Sequence, residues 1–282
     1  MFRMSFNARA TALALLLTLP LSAQLADGDR HYAARGDGAQ GAHAKAGPID
    51  AAIAAYQRAV AADPNDLAAY ARLLRAYRFK GAYATSNAEQ KKQVYATAKS
   101  AGEKALASVY KKLGATDKTS EKQVAELARK VPGAADVFLW DAVNWGEWAL
   151  AYGKLAAARQ GAADRIRREA TIAQLANPHL EGGAPSRVLG RLHDQTPRIP
   201  FVTGWASSKE ALRFLNESLK MDPDNKLTML FLAEAMVSND ASTKAQAVQI
   251  LRGVVSNPNH AEYAVEDAAA VEDAKVLLAP WK

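Results

Sequence analysis

The chain contains no cysteine. That excludes disulfides, thiolate metal sites, a cysteine nucleophile and a lipid anchor on a mature N-terminal cysteine. Catalytic signatures are equally sparse. The five histidines, His31, His43, His179, His193 and His260, fall at no metal-ligand spacing such as H-E-x-x-H. There is no G-x-S-x-G nucleophile elbow. Gly182-Gly183 is the only glycine pair in the central region, and it follows no strand and lacks phosphate-loop spacing. The sequence therefore offers no cofactor, no metal and no catalytic group, and it reads as non-enzymatic. Beyond the N-terminal segment, no apolar run reaches the roughly 20 residues that a membrane-spanning helix needs. Nor does any stretch alternate with period two for long enough to make a strand.

What is present points to helix. Hydrophobic residues make up 49% of the 282, enough to bury a substantial core. Alanine dominates them, and it favours helices that approach one another closely. The formal charge is +7. Its basic groups are scattered, with local clusters at Arg165-Arg167-Arg168 and Arg187-Arg191-Arg198. Without a nucleic-acid-reading motif these read as solvated helix faces, with an anion site as the rarer alternative and no nucleic-acid partner. The adjacent acids Glu266-Asp267 and Glu272-Asp273 read in the same way, as solvated charges.

The first 26 residues have the form of an export signal. Arg3 and Arg9 make a positive start, Ala10 to Leu19 an apolar run, Pro20 a break, and Ser22-Ala23 a small-residue cleavage region. The cut falls after Ala23 or Ala26. This predicts a periplasmic chain with no stable membrane anchor. Residues 27–48 are rich in glycine, alanine and charge. They predict a flexible mature N-terminus, with room for a short helix near Asp29 to Arg35.

A repeat begins at Ile49. Ala52, Tyr56 and Ala59 recur at helical spacing, and Asp63-Pro64-Asn65-Asp66 stops that helix and caps the next. Tyr70, Leu73, Leu74 and Tyr77 then share one face. The order resembles the tetratricopeptide pattern of about 34 residues. It returns near the C-terminus, with Ala211, Leu215, Ser218 and Pro223 at the first spacing and Met229, Leu232, Ala233 and Met236 at the second. Leu189-Gly190 stands where the pattern expects a Leu-Gly pair. Helices are predicted at 49–62, 66–79, 88–113, 119–130, 135–158, 162–176, 185–194, 207–221, 226–237, 242–255 and 261–278. The expected fold is all-α: about 11 helices over residues 49–282, stacked as an irregular tetratricopeptide-like array because the middle units are degenerate.

Two segments break the pattern. Trp140, Trp145 and Trp148 lie in one helical stretch, with Asn144 between them, and line either the core or an apolar pocket. Residues 177–205 contain Gly182-Gly183, four prolines and one short helix. The loop from Asp194 to Ser207 is long for a repeat turn, and such loops either carry function or cover an uneven edge.

The run from Asp136 to Val237 resembles the TRAP-transporter-associated tetratricopeptide proteins, the TatT or T-component family. The matching stretches are FLWDAVNWGEWALAYGKL, the turn from Leu175 to Gly183, and GGAPSRVLGRLHDQTPRIPFVTGWASSKEALRFLNESLKMDPDN. Weaker similarity runs back to Ile49. The resemblance implies a periplasmic protein that pairs with the substrate-binding protein of a tripartite ATP-independent transporter. It also implies oligomer formation and a small or hydrophobic ligand. Lipid tethering, which some relatives suggest, does not carry over to a chain without cysteine. The expected partner or ligand surface gathers Trp140, Asn144, Trp145, Trp148, Arg187, Arg191, Phe201 and Trp205. A generic envelope scaffold is the alternative.

Overall fold

The computed structural model describes residues 21–281. Most of the expected export signal, including Arg3, Arg9 and the run Ala10 to Leu19, lies outside the described residues. The founding unit of the fold is the helix pair α2 (Ala46–Ala62) and α3 (Leu67–Tyr83). Between them the Asp-Pro turn does what its chemistry dictates. The Asp66 carboxylate accepts the N–H groups of Ala68 and Ala69 at 2.9 and 3.1 Å, closing the free first turn of α3. Ala52 and Tyr56 are buried with Ile49 and Leu73 in one core, and Ala59 is buried one turn on from Tyr56. Small residues let the helices approach, and Tyr56 fills the space between them.

The array continues through α4 (Ala88–Leu113), α5 (Glu121–Ala128), α6 (Ala134–Tyr152), α7 (Lys154–Arg159), α8 (Ala162–Ala176) and α9 (Ala184–Gln195). The second matched pair, α10 (Ser208–Met221) and α11 (Lys226–Asn239), follows, and α12 (Lys244–Ser256) and α13 (Ala264–Leu278) end it. The Asn225 side chain caps α11 through the Thr228 N–H at 3.0 Å, the counterpart of Asp66. Gly190 of α9 lies under Leu215 of α10. A Cβ there would sit 2.6 Å from the leucine Cγ, so the expected Leu-Gly pair marks a close helix crossing. The fold is all-α, a tetratricopeptide-like helical array. Among the described residues the only β pairing is one isolated bridge, Gln40 with His43. No described helix is long and apolar enough to cross a membrane.

Three expectations change. Residues 27–48 are not a loose stretch: they carry the end of a helix, α1 (Leu21–Ala33), a 3-10 turn at Ala34–Gly36, and the Gln40–His43 bridge. The reason lies in charge pairing that composition conceals. Asp27 meets Arg58 at 3.3 Å, while Asp29 meets Arg72 at 2.8 Å and accepts the Tyr56 hydroxyl at 2.7 Å. The helix expected over 135–158 breaks at Gly153, whose φ of 89° ends α6 and starts α7. The acids Glu266 and Asp267 are not free surface charges. Glu266 pairs with Arg35 at 3.0 Å, and buried Asp267 accepts the His260 N–H at 2.8 Å.

Those last contacts close the array on itself. Val265 of α13 is buried in the same core as Ile49, Tyr56 and Phe79 of the first repeat. Arg35 reaches α13 through Glu266, and the Ala42 N–H donates to Glu272 at 3.4 Å. An open superhelix would leave its first and last units apart. Here they touch, and the curved row of helices acquires an inner face.

Candidate functional site

The structure divides the expected surface into three places. Trp145 and Trp148 belong to the core, at 2% and 6% exposure. Their rings meet edge to face at 5.5 Å, and Trp148 stacks on Tyr152 at 4.8 Å. Lys99 of α4 lies 4.4 and 4.7 Å over the two indoles, and Arg165 of α8 lies 4.5 Å over Trp145. Asn144 is also buried, and its amide donates to the Leu74 and Trp140 carbonyls at 3.0 and 2.8 Å. Through these two bonds it ties α6 to α3. The pocket alternative for Trp145, Trp148 and Asn144 is corrected: these residues are packing.

Beside them sits an acidic pair that no sequence pattern connects. Asp141 and Glu169 are buried and share Arg165, at 3.0 and 2.9 Å. Gly102 of α4 makes the room, since a Cβ there would fall 1.6 Å from an Asp141 oxygen. Burial pushes the Glu169 carboxyl well above the usual range, and the Asp141 charge adds to it. Asp141 is raised as well, chiefly by burial.

The second place is the loop between α9 and α10. Thr203 folds it: its hydroxyl donates to the Pro197 carbonyl and accepts the Ile199 N–H at 3.0 Å. Phe201 sits at the tip with a φ of 63°, a left-handed conformation uncommon for a bulky residue. Its ring is fully exposed, with Ile199 and Val202 beside it. Trp205 anchors the loop base. Its indole N–H donates to Asp164 at 2.9 Å, and Arg167 lies 4.8 Å over the ring. His193 stacks on Phe214 at 5.7 Å and accepts the Ser207 N–H through Nδ1 at 3.2 Å. Next to this anchor is an open cavity of about 350 Å³, lined by His193, Asp194, Arg198 and Lys209 among others. Phe201 and Trp205 therefore do share one surface, but Trp140 and Arg187 are not on it.

The third place is the inner face. Arg75 of α3 lies 4.8 Å over Tyr32 and 5.6 Å over Trp140, and pairs with Glu181 at 3.2 Å. Arg78, one turn on, pairs with Glu147 at 3.3 Å and donates to the Tyr83 hydroxyl at 2.7 Å. Arg35 lies 4.5 Å over Tyr32 and 5.9 Å over Tyr263. Arg187 of α9 donates to the Thr228 hydroxyl at 3.2 Å. Arg191 pairs with Glu234 at 2.6 Å and Asp194 at 3.5 Å, and lies 4.3 Å over Phe231. Glu181 holds the turn before α9 with a φ of 46°, and burial raises its carboxyl. Helices α1, α3, α6, α9 and α11 and the 3-10 turn before α13 thus contribute aromatic and charged groups to this face. Sequence reasoning named Trp140, Arg187 and Arg191 of this set. It missed Tyr32, Arg75, Glu181 and Tyr263, which come together only because the array closes.

No group of three or more histidine, aspartate and glutamate side chains among the described residues is placed to hold a metal. No family model matches the chain, and no curated protein matches it. Among solved structures it is similar to the yeast Sti1 TPR2AB domain in complex with pHSP90. The identity is 15%, over 90% of this chain and 98% of that one, with a TM-score of 0.25. So slight a likeness adds nothing to the repeat already read from the chain's own spacing and packing.

Proposed function

We propose that this chain is an exported helical-repeat protein that docks a protein partner in the bacterial envelope and shelters a small, partly apolar ligand within its ring. The partner we propose is the substrate-binding protein of a tripartite ATP-independent transporter, by the resemblance of residues 136–237 to the transporter-associated family. The observation that carries the docking role is the loop tip. Ile199, Phe201 and Val202 face solvent while the base of the same loop is pinned by Trp205, Thr203 and His193. An apolar residue held rigid and exposed is available to a partner at little ordering cost. Arg198 and Lys209 line the cavity at the loop base together with Asp194, and their charge favours an acidic partner surface there.

Export rests on the pattern of residues 1–26. The contacts of α1 with α2 and α3 made by Asp27 and Asp29 lie beyond either cut, so both leave them in place. The test is affinity capture from a periplasmic extract with the mature chain and with a Phe201→Ser, Val202→Ser double variant. The expected result is recovery of a transporter substrate-binding protein by the former and its loss with the latter. Recovery of other envelope proteins alone would make the chain a general scaffold. Equal capture by the variant would remove the loop from the interface.

A further inference from the structure

The corner between α6 and α7 carries apolar side chains that nothing in the fold covers. Leu150, Tyr152 and Leu155 are 77%, 39% and 66% exposed. They are three of the seven large exposed apolar residues among those described, and they fall within six positions. Helix α7 buries none of its six residues. It hangs between Gly153 and Gly161, whose φ angles are 89° and 62°. At neither glycine does any atom lie within 4 Å of where a Cβ would stand, and the same holds at Gly146, one turn before Leu150 on α6. The corner therefore protrudes and forms no groove. Its base is fixed, because Tyr152 stacks on buried Trp148 at 4.8 Å. The charges around it are almost all of one sign. Lys154 and Arg159 stand on α7 itself. From α4, Lys99 donates to Gln160 at 2.5 Å, and Lys92 lies 5.9 Å over the Tyr152 ring. Among the described residues, the one carboxylate paired with any of these four cations is Glu89, 3.6 Å from Lys92. Arg75, Arg78, Arg165, Arg191 and Arg213, by contrast, each have a carboxylate closer than that.

We propose that the α6–α7 corner seats the protein reversibly on an anionic bilayer surface, with Leu150 and Leu155 entering the headgroup region and Lys154 and Arg159 meeting lipid phosphates. Exposed apolar residues gathered in one place mark an interaction surface. A protruding pair needs a receptor that gives way, and the interface of a bilayer does so. Lys154 and Leu155 are neighbours, so the lysine stem can lie along the interface while its ammonium stays among the phosphates. Cations gain from an anionic surface within about a Debye length, roughly 8–10 Å, which a residue beside an inserted leucine satisfies. A second copy of the chain is a poor occupant. A two-fold contact here would set Lys154 and Arg159 against their own counterparts. The surface uses none of the loop-tip residues Ile199, Phe201 and Val202. Two leucines make a seat and not an anchor, so the contact is reversible and depends on lipid charge.

The test uses the chain from residue 24 onward, so that the apolar run Ala10 to Leu19 contributes nothing while the contacts of Asp27 and Asp29 remain. It is sedimented with vesicles of phosphatidylcholine alone, and with vesicles in which about a third of the lipid is phosphatidylglycerol. Binding to the anionic vesicles is expected to be at least about tenfold tighter, and to weaken severalfold between about 0.1 and 0.5 M salt. Leu150→Ser together with Leu155→Ser should lower it about tenfold. Both side chains are exposed, so the variant should keep its fold. Phe201→Ser with Val202→Ser should leave vesicle binding unchanged, which separates this surface from the docking loop. Leu155→Trp supplies a direct reading of insertion. Relative to the parent chain, its added emission should shift to the blue on anionic vesicles and be quenched by brominated acyl chains. Equal binding to the two kinds of vesicle, or binding that the leucine variant retains in full, overturns the membrane seat. Binding to neither overturns it as well. Self-association, or capture of an acidic protein, that the leucine variant alone loses would then name a protein as the occupant.

Discussion

The tryptophans of α6 and the aromatic residues of the 196–205 loop are both aromatic clusters, yet their surroundings are opposite. Trp145 and Trp148 are enclosed by α4, α8 and α9, with Lys99 and Arg165 capping their faces. Phe201 touches solvent on every side, and Trp205 is held by one hydrogen bond and its neighbours' edges. In the first region the charged groups cover aromatic surface from within. In the second they fasten the base of a loop whose tip stays open. An aromatic cluster is therefore no guide to a binding face until its neighbours are known.

The difference is sharpest in stability. Trp145→Ala removes a large side chain between three helices, and the cavity left cannot collapse without moving Lys99 and Arg165. The expected loss is about 3–5 kcal/mol, read as a shift in denaturant midpoint with an unchanged slope. A loss no larger than that of an ordinary surface change would place Trp145 outside the core. The substitution should not change partner capture by protein that remains folded.

The two regions also respond to pH with opposite signs. In the core, burial raises the Glu169 carboxyl, and the Asp141 charge raises it further. Its folded-state pKa lies above the unfolded one, so its contribution is complete below the unfolded pKa. It is lost as pH rises through the folded value. Glu169→Gln keeps an acceptor for Arg165 and removes the ionisation. The variant should gain on the wild type as pH is raised above the ordinary carboxylate range, with the difference in melting temperature growing until pH passes the folded value. A difference that stays constant as pH rises would show that Glu169 carries no proton penalty.

Much of this fold was legible in local patterns. Asp-Pro turns, small residues at crossing positions and 3.6-residue apolar faces give α2, α3, α10 and α11 almost to their ends, because each depends on neighbours within a few turns. Gly153 is hard to recognise as a break, since helical pattern resumes immediately after it. The N-terminal helix was hidden for a different reason. Asp27 and Asp29 resemble solvent charges until Arg58, Arg72 and Tyr56 are placed opposite them. The inner face was the least legible part. Arg35 and Glu266 are separated by 231 positions, and only the contact of the first and last units brings Arg35 and Tyr32 near Tyr263. Arg187 could be nominated from the sequence, but not its lack of a carboxylate within 4 Å among the described residues.

The smallest effect belongs to the loop, and it concerns order more than global stability. His193 holds the loop exit by accepting the Ser207 N–H with Nδ1, a bond only the unprotonated nitrogen can make. Burial lowers its pKa; Glu210 pulls against this, while Arg167 and Arg213 push with it. The folded value therefore lies below the unfolded one. The tie is present above the unfolded histidine pKa of about 6.5, and it is lost as pH falls through the folded value. On protonation, Nδ1–H would face the Ser207 N–H, donor against donor, at the start of α10. Phe214 and Trp205 would keep their ring contacts, so the loop base should loosen without the helices separating. Amide exchange, corrected for intrinsic rates, should show protection at Ser207 falling between about pH 7.5 and pH 5, with α6 unchanged. His193→Phe preserves the stack on Phe214 but supplies no acceptor, so Ser207 should exchange quickly at both values. If the wild type protects Ser207 equally at both, the loop is held by Thr203 and Trp205 alone, and the contrast between the closed and open aromatic regions has no pH component on the loop side.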